Sequence, residues 1–237
     1  DTLPGINLAE GQQLFPPFLT IGSDGVVTVL VPQAELGQGS YTLLAQVAAD
    51  ELGADWRTIA VAPAPLSAAF ANTLFLAEDA ALAVPRRFVP QFVEDAAAWR
   101  RTAAADGVEA MLTTGSTSLR MFEAPIRAVA ASARAMLCMA AARRWDVDWQ
   151  ECETDQGFVT HASRKLRFGE LAESAAQFPP PLFPPLRAPG SGPLAGQSMP
   201  RLDLPAKVDG SLNFAGDIRL PDLVYAAVRQ GPHGDTR

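Results

Sequence analysis

Two short loops carry residue types suited to gripping an anionic, heteroatom-rich ligand. The first, Gly37-Gln38-Gly39, follows an apolar run and precedes a helical pattern. Backbone N–H groups lack partners at such a place, and the helix dipole favours negative charge there. Glycine lets a ligand approach the backbone, and the Gln38 carboxamide offers both a donor and an acceptor to the edge of a heterocycle. The second loop, Thr113-Thr-Gly-Ser-Thr-Ser118, sets five hydroxyls around Gly115 ahead of another helical run, a suitable cradle for phosphate oxygens. Each loop also has a structural explanation: a tight strand-to-helix turn for the first, an N-cap run for the second.

Other chemistry-bearing residues are sparse. Glu35 lies beside the glycine loop and is expected to order it. Glu170, after Gly169, reads as a helix-start carboxylate. His161 and His233 stand far apart with no carboxylate or second histidine at ligand spacing, so no protein-ligated metal and no catalytic side chain is assigned. Cys138 and Cys152 lack the CxxC spacing of a zinc or iron–sulfur site and read as ordinary thiols.

The elements that must position the loops follow from periodicity. Residues 18–31 read as two β-segments joined at Asp24-Gly25, a dipeptide suited to a tight hairpin. Residues 42–52 repeat apolar positions at helical spacing, Gly53 is a C-terminal stop, and residues 57–63 form a short β-like run. The opening unit is therefore strand, loop, helix, strand. Residues 63–91 read as a long surface connection and residues 92–105 as a short helix. Residues 124–144 form a long helix with Pro125 in its first turn, Ile126, Val129, Ala133, Met136, Leu137 and Ala140 on a core face, and Arg127 and Arg134 on a solvated one. Residues 157–168 resemble a hairpin ahead of a helix over 168–176.

The fold class expected is α+β, a mixed α/β domain over residues 1–177, then a Pro/Gly-rich linker over 178–200 and the beginning of a second α/β domain over 201–237. Asn213-Phe214, Ile218 and residues 223–228 read as strands of that second domain, whose remainder must lie elsewhere. A length of 237 residues and 48% hydrophobic composition allow a real core. The net charge of -7, with no basic run, argues against a nucleic-acid partner. Apolar stretches are broken by Arg, Asp or Pro before the roughly 20 residues of a membrane span. Asp1 in place of Met points to a processed chain or a fragment.

Three motifs in order carry a resemblance: Val31-Pro-Gln-Ala-Glu-Leu-Gly-Gln-Gly39 with Thr42 and Ala49-Asp-Glu-Leu-Gly-Ala-Asp-Trp56; Thr114-Gly-Ser-Thr-Ser-Leu-Arg120; and Pro200-Arg-Leu-Asp-Leu-Pro-Ala-Lys-Val-Asp-Gly210 through Asp217 and Leu220-Pro221. Together they resemble the N-terminal portion of the large, molybdopterin-binding subunit of bacterial molybdenum hydroxylases. The branch is the isoquinoline 1-oxidoreductase beta-subunit type within the xanthine dehydrogenase and aldehyde oxidase family. Isoquinoline-type subunits carry the two loops ahead of the Arg-x-Asp opening, as here. Leu36 stands where Met is common and Thr114 where a second Gly is common.

The resemblance implies that Gly37, Gln38, Gly39, Gly115, Ser116, Thr117 and Ser118 help to bind a molybdenum–molybdopterin dinucleotide, of the cytosine type. It implies a hydroxylase that oxidises an N-heteroaromatic compound or an aldehyde with water as oxygen source. The family's base, a glutamate in a Gly-x-Gly-Glu setting, does not occur in this chain. Iron–sulfur clusters would sit on a small partner subunit, and the rest of the large subunit on another chain. Relatives of this branch often resemble exported proteins, which favours a periplasmic setting over a cytoplasmic one. The alternative is a non-catalytic assembly or interaction module related to that family.

Overall fold

Alternating apolar residues on either side of Asp24-Gly25 build the hairpin on which the rest is assembled. The computed structural model describes residues 5–74 and 111–229. In it, β1 (Gln12–Phe15), β2 (Leu19–Gly22) and β3 (Val27–Val31) form an antiparallel meander. At the β2–β3 turn the Asp24 side chain accepts the Val26 N–H at 3.0 Å, and Gly25 supplies a φ of 86°. β1 was not anticipated: Gln12-Gln13-Leu14-Phe15 has no clear period, and only its pairing with β2 makes it a strand.

The chain leaves β3 through the glycine loop, runs back along α1 (Ser40–Leu52) and returns as β4 (Ile59–Pro63), parallel to β3. A parallel partner requires such a crossover, and the strand, loop, helix, strand unit is present. The sheet order is β1-β2-β3-β4. Leu44, Ala45, Ala48, Ala49 and Leu52 on α1 are fully buried, as are Leu19, Ile21, Val27 and Val29 of the sheet.

The long helix, α2 (Ser118–Trp145), starts six residues earlier than its apolar stripe implied, so Pro125 lies inside it rather than in its first turn. Phe122 and Ile126, one turn apart, are both buried and extend the core face upstream. By length and composition α2 would reach across a bilayer, its arginines notwithstanding, but 56% of its most apolar window is buried inside this fold. It packs directly on α1, with alanine making up most of the buried residues of α2 and three of the eight buried on α1.

Arg127 and Arg134 are not on a solvated face. Both reach Glu51 of α1, itself only 2% exposed, at 2.9 and 2.8 Å. The periodicity of α2 could not show this, because their partner lies on another helix. The same carboxylate accepts the Arg187 N–H at 2.8 Å, and the Arg187 guanidinium donates to Glu51 O and Thr154 O. Arg127 and Arg134 also donate to the carbonyls of Arg187 and Pro185. Further along, Gln46 donates to Leu194 O at 2.7 Å and Asp50 accepts the Leu194 N–H at 2.8 Å. The Pro/Gly-rich stretch is thus tied to α1 and α2.

A second sheet, β5 (Glu153–Asp155), β6 (Phe158–His161) and β7 (Arg164–Arg167), is antiparallel in that order. It leads into α3 (Phe168–Ala175), where Glu170 accepts the Arg167 N–H at 2.8 Å, the work of a helix-start carboxylate. Gly169 permits a close approach: a Cβ there would fall 2.4 Å from Ser23 O in the β2–β3 turn.

The chain divides into two compact units, Asp1–Leu202 and Asp203–Arg237. In the second, α4 (Leu204–Val208) and a single 3-10 turn, Ala215–Asp217, are the regular elements among the described residues. The strands expected near residues 213–214, 218 and 223–228 do not form there. Strands need a neighbour to pair with, and Leu223, Val224, Tyr225 and Val228 are exposed instead.

The surface connection expected over 63–91 is partly internal. Phe70 and Asn72 are both 0% exposed, and Phe70 makes an edge contact with Phe18 at 5.7 Å. Residues 75–91 of that stretch, the helix expected over 92–105 and His233 lie outside the described residues.

Candidate functional site

The two loops far apart in sequence meet at one face. Ala34 donates its N–H to Thr113 Oγ1 at 2.8 Å. Gln33 donates through Nε2 to Leu112 O at 3.3 Å and accepts the Ser118 hydroxyl on Oε1 at 2.9 Å. Asn72 donates to Leu112 O at 2.8 Å and to Thr117 Oγ1 at 2.6 Å. Phe18 packs edge-on against Phe122 at 6.4 Å, fixing the start of α2 beneath the second loop.

Within the first loop, the N–H groups that were candidates for a ligand turn inward. Glu35 Oε1 accepts from Gly37 at 2.8 Å and from Gly39 at 2.9 Å, and Oε2 accepts from Tyr41 at 3.1 Å. The carboxylate caps α1 and supplies the negative charge its N-terminus favours. Burial works to raise the Glu35 carboxyl, but the N–H groups of Gly39, Tyr41 and Gly37 and the Arg201 charge outweigh it, holding the acid below its ordinary value. Glu35 therefore orders the loop, as its position implied.

Gln38 differs from expectation. Its Nε2 donates to Ala34 O at 2.7 Å and Ser40 Oγ at 3.0 Å, and its Oε1 accepts the Leu36 N–H at 2.6 Å. A side chain two to four residues from its partners closes on its own loop at little entropic cost, so this carboxamide is engaged locally. Gly37 and Gly39 have φ of 105° and 85°, and a Cβ at either would meet nothing within 4 Å. They are glycines because of backbone conformation rather than close approach.

In the second loop, Thr117 N–H donates to Thr114 O at 3.3 Å across Gly115 and Ser116, whose φ values are 64° and 54°. Positive φ at both central residues is the primed type I turn. Thr117 is fully buried and its hydroxyl donates to Thr114 O at 2.7 Å. Thr113, Thr117 and Ser118 thus spend their hydroxyls holding the loops, while Thr114, Gly115 and Ser116 are exposed at the tip, as are Leu36, Gly37 and Gln38 of the first loop.

Sequence reasoning missed three contributors. Gln33 and Asn72 are buried amides that join the loops. Arg201, from the third motif, donates to Gly37 O at 3.0 Å and pairs with Glu35 at 3.1 Å. The signal for Gln33 was a polar residue two positions after an apolar strand; nothing in one sequence marks Asn72.

Other chemistry-bearing groups stand away from this face. His161 meets Glu151 at 3.1 Å, a carboxylate neighbour ten residues distant that spacing did not reveal. No group of His, Cys, Asp and Glu able to hold a metal ion occurs among the described residues. Cys138 and Cys152 are buried free thiols. Burial pushes Cys138 up to about 12.

The groups this face leaves open to an anion are at the loop tips, where Ser116 is exposed, whereas the α1 N-terminus is occupied by Glu35.

Residues 13–74 match the family model described as a molybdopterin cofactor-binding domain. The chain is similar to the beta subunit of isoquinoline 1-oxidoreductase from Brevundimonas diminuta, 29% identical over 250 residues and 91% of this chain. It is similar to a nicotinate dehydrogenase subunit from Pseudomonas putida, 32% identical over 123 residues and 51% of this chain. It is also similar to a membrane-bound aldehyde dehydrogenase [pyrroloquinoline-quinone] of Gluconacetobacter polyoxogenes, 24% identical over 232 residues and 94% of this chain. The chain spans 28%, 10% and 25% of the lengths of these three relatives. Over residues 13–74, from the β-meander through the glycine loop, α1 and β4, the chain thus matches a molybdopterin cofactor-binding domain, and over 91% of its length it is similar to the isoquinoline 1-oxidoreductase beta subunit.

Proposed function

We propose that this chain supplies one wall of the cofactor site in a molybdenum hydroxylase that oxidises an N-heteroaromatic compound or an aldehyde, using water as oxygen source. The observation that supports it is the meeting of the two glycine loops, tips exposed, within and beside the matched domain. The residues that would line the wall against a molybdopterin dinucleotide of the cytosine type are Gly37, Gln38 and Gly39, by surface contact because Glu35 already holds the Gly37 and Gly39 N–H groups, and Gly115 and Ser116 through backbone and hydroxyl. Thr117 and Ser118 would act from beneath, holding the turn. When bound, the molybdenum centre supplies the two-electron oxidation. This chain's own part is to bind and orient. A base and iron–sulfur clusters come from the remainder of the large subunit and from a small partner subunit.

Molybdenum and pterin analysis of the purified, intact complex tests this. Stoichiometric cofactor is expected, and an active, intact assembly holding neither would sink the proposal.

The second reading, a non-catalytic assembly module, draws on the inward-turned N–H groups of Gly37 and Gly39. Cofactor content unchanged in Gln38→Ala and Ser116→Ala would favour it.

A further inference from the structure

Gln33 leaves β3 two residues ahead of Glu35 and is only 2% exposed. Its Nε2 donates to Pro32 O at 3.0 Å and Leu112 O at 3.3 Å, while its Oε1 accepts the Ser118 hydroxyl at 2.9 Å. One carboxamide therefore touches the second loop on both flanks of the Gly115-Ser116 turn. Asn72 holds the same Leu112 carbonyl at 2.8 Å, so two buried amides converge on one acceptor. Neither belongs to the exposed tips.

We infer that Gln33 is a positioning residue for the cofactor face: it sets the spacing of the two loops without touching the ligand. This rests on the reading of that face as a cofactor wall. The chemistry requires an amide, since only a carboxamide puts a donor and an acceptor on one short planar group. A carboxylate would set an acceptor against the Pro32 and Leu112 carbonyls. Methionine keeps the length and offers neither polar function. Because Asn72 still holds Leu112 O, losing Gln33 changes the spacing of the loops without dismantling either one. Cofactor retention should then fall more than stability, since a preformed site is what limits the cost of binding.

The test uses the full-length subunit in its intact complex, with molybdenum and pterin per chain and the melting temperature as paired readouts. Gln33→Met is expected to melt near the wild type yet hold about fivefold less cofactor, the effect of one net hydrogen bond. Ser118→Ala should lose a similar share, and Ser118→Thr, which restores the hydroxyl, should recover it. Gln33→Met combined with Ser118→Ala should be no worse than Gln33→Met, because the two residues share one contact. Full loading of a folded Gln33→Met chain, or equal loading of Ser118→Ala and Ser118→Thr, would overturn the inference. If Gln33→Met fails to assemble, the Ser118 pair decides. A wild-type complex devoid of cofactor overturns the cofactor reading, and this inference with it.

Discussion

The Glu35 carboxylate accepts the Gly39 N–H at 2.9 Å, and through that bond the protein's own charge occupies the helix start that resembled an anion site. Gly39 is the N-cap of α1 and brings no side chain to the task, so a carboxylate four residues upstream performs it. The glycine loop is thereby a preformed wall whose Leu36, Gly37 and Gly39 N–H donors are spent internally.

Replacing Glu35 by Gln should cost roughly 2 kcal/mol, since charge-assisted bonds to N–H groups and the Arg201 pair are weakened together. Chemical denaturation of the purified complex at neutral pH measures it. A loss near zero would mean the loop orders itself without the charge.

The same group gives a pH dependence. Its folded value lies below the ordinary 4.5, so its stabilisation is fully present above that pH and is lost as pH falls through the lower folded value. The wild type should lose more stability than Glu35→Gln between neutral pH and about pH 3. Equal losses in the two proteins would contradict this.

Glu51→Ala should destabilise by roughly 3–5 kcal/mol, because it leaves Arg127 and Arg134 without their shared counter-charge in a largely buried place. Segment 185–197 should become the first site of limited proteolysis, since Arg187 loses its anchor. Unchanged cleavage would show that Gln46 and Asp50 hold that segment by themselves.

Two glycine substitutions separate strain from collision. Gly39→Ala, with open space around its Cβ, should cost about 1 kcal/mol from the left-handed backbone. Gly169→Ala has no such strain but drives its Cβ into the Ser23 carbonyl, so it should cost more, about 1–3 kcal/mol. Melting curves rank the pair, and the reverse order would refute the assignment.

Cys138 should resist alkylation at pH 8 in the native protein and react once unfolded, because its thiol is buried and pushed up to about 12. Rapid native labelling would place it nearer the surface than the fold allows.

Local pattern was enough for the β2–β3 hairpin, α1 and its glycine stop, the β6–β7 hairpin and Glu35 as the organiser of its loop. In each of these the interacting residues lie within a few positions of one another or share one period, so their physics is written in adjacent letters. The two glycine loops were visible for the same reason, as compositions unusual for their place.

What only the tertiary structure decided were the contacts between distant segments. Gln33 meets Ser118 across 85 positions and Arg134 meets Glu51 across 83. The apparently solvated face of α2 became a partly buried ion cluster around Glu51, and the Pro/Gly-rich stretch became a tied strap. A short strand such as β1, with no period of its own, forms because a neighbour completes its hydrogen bonds. Periodicity tells which face of an element is buried; it carries no information about which partner that face will meet.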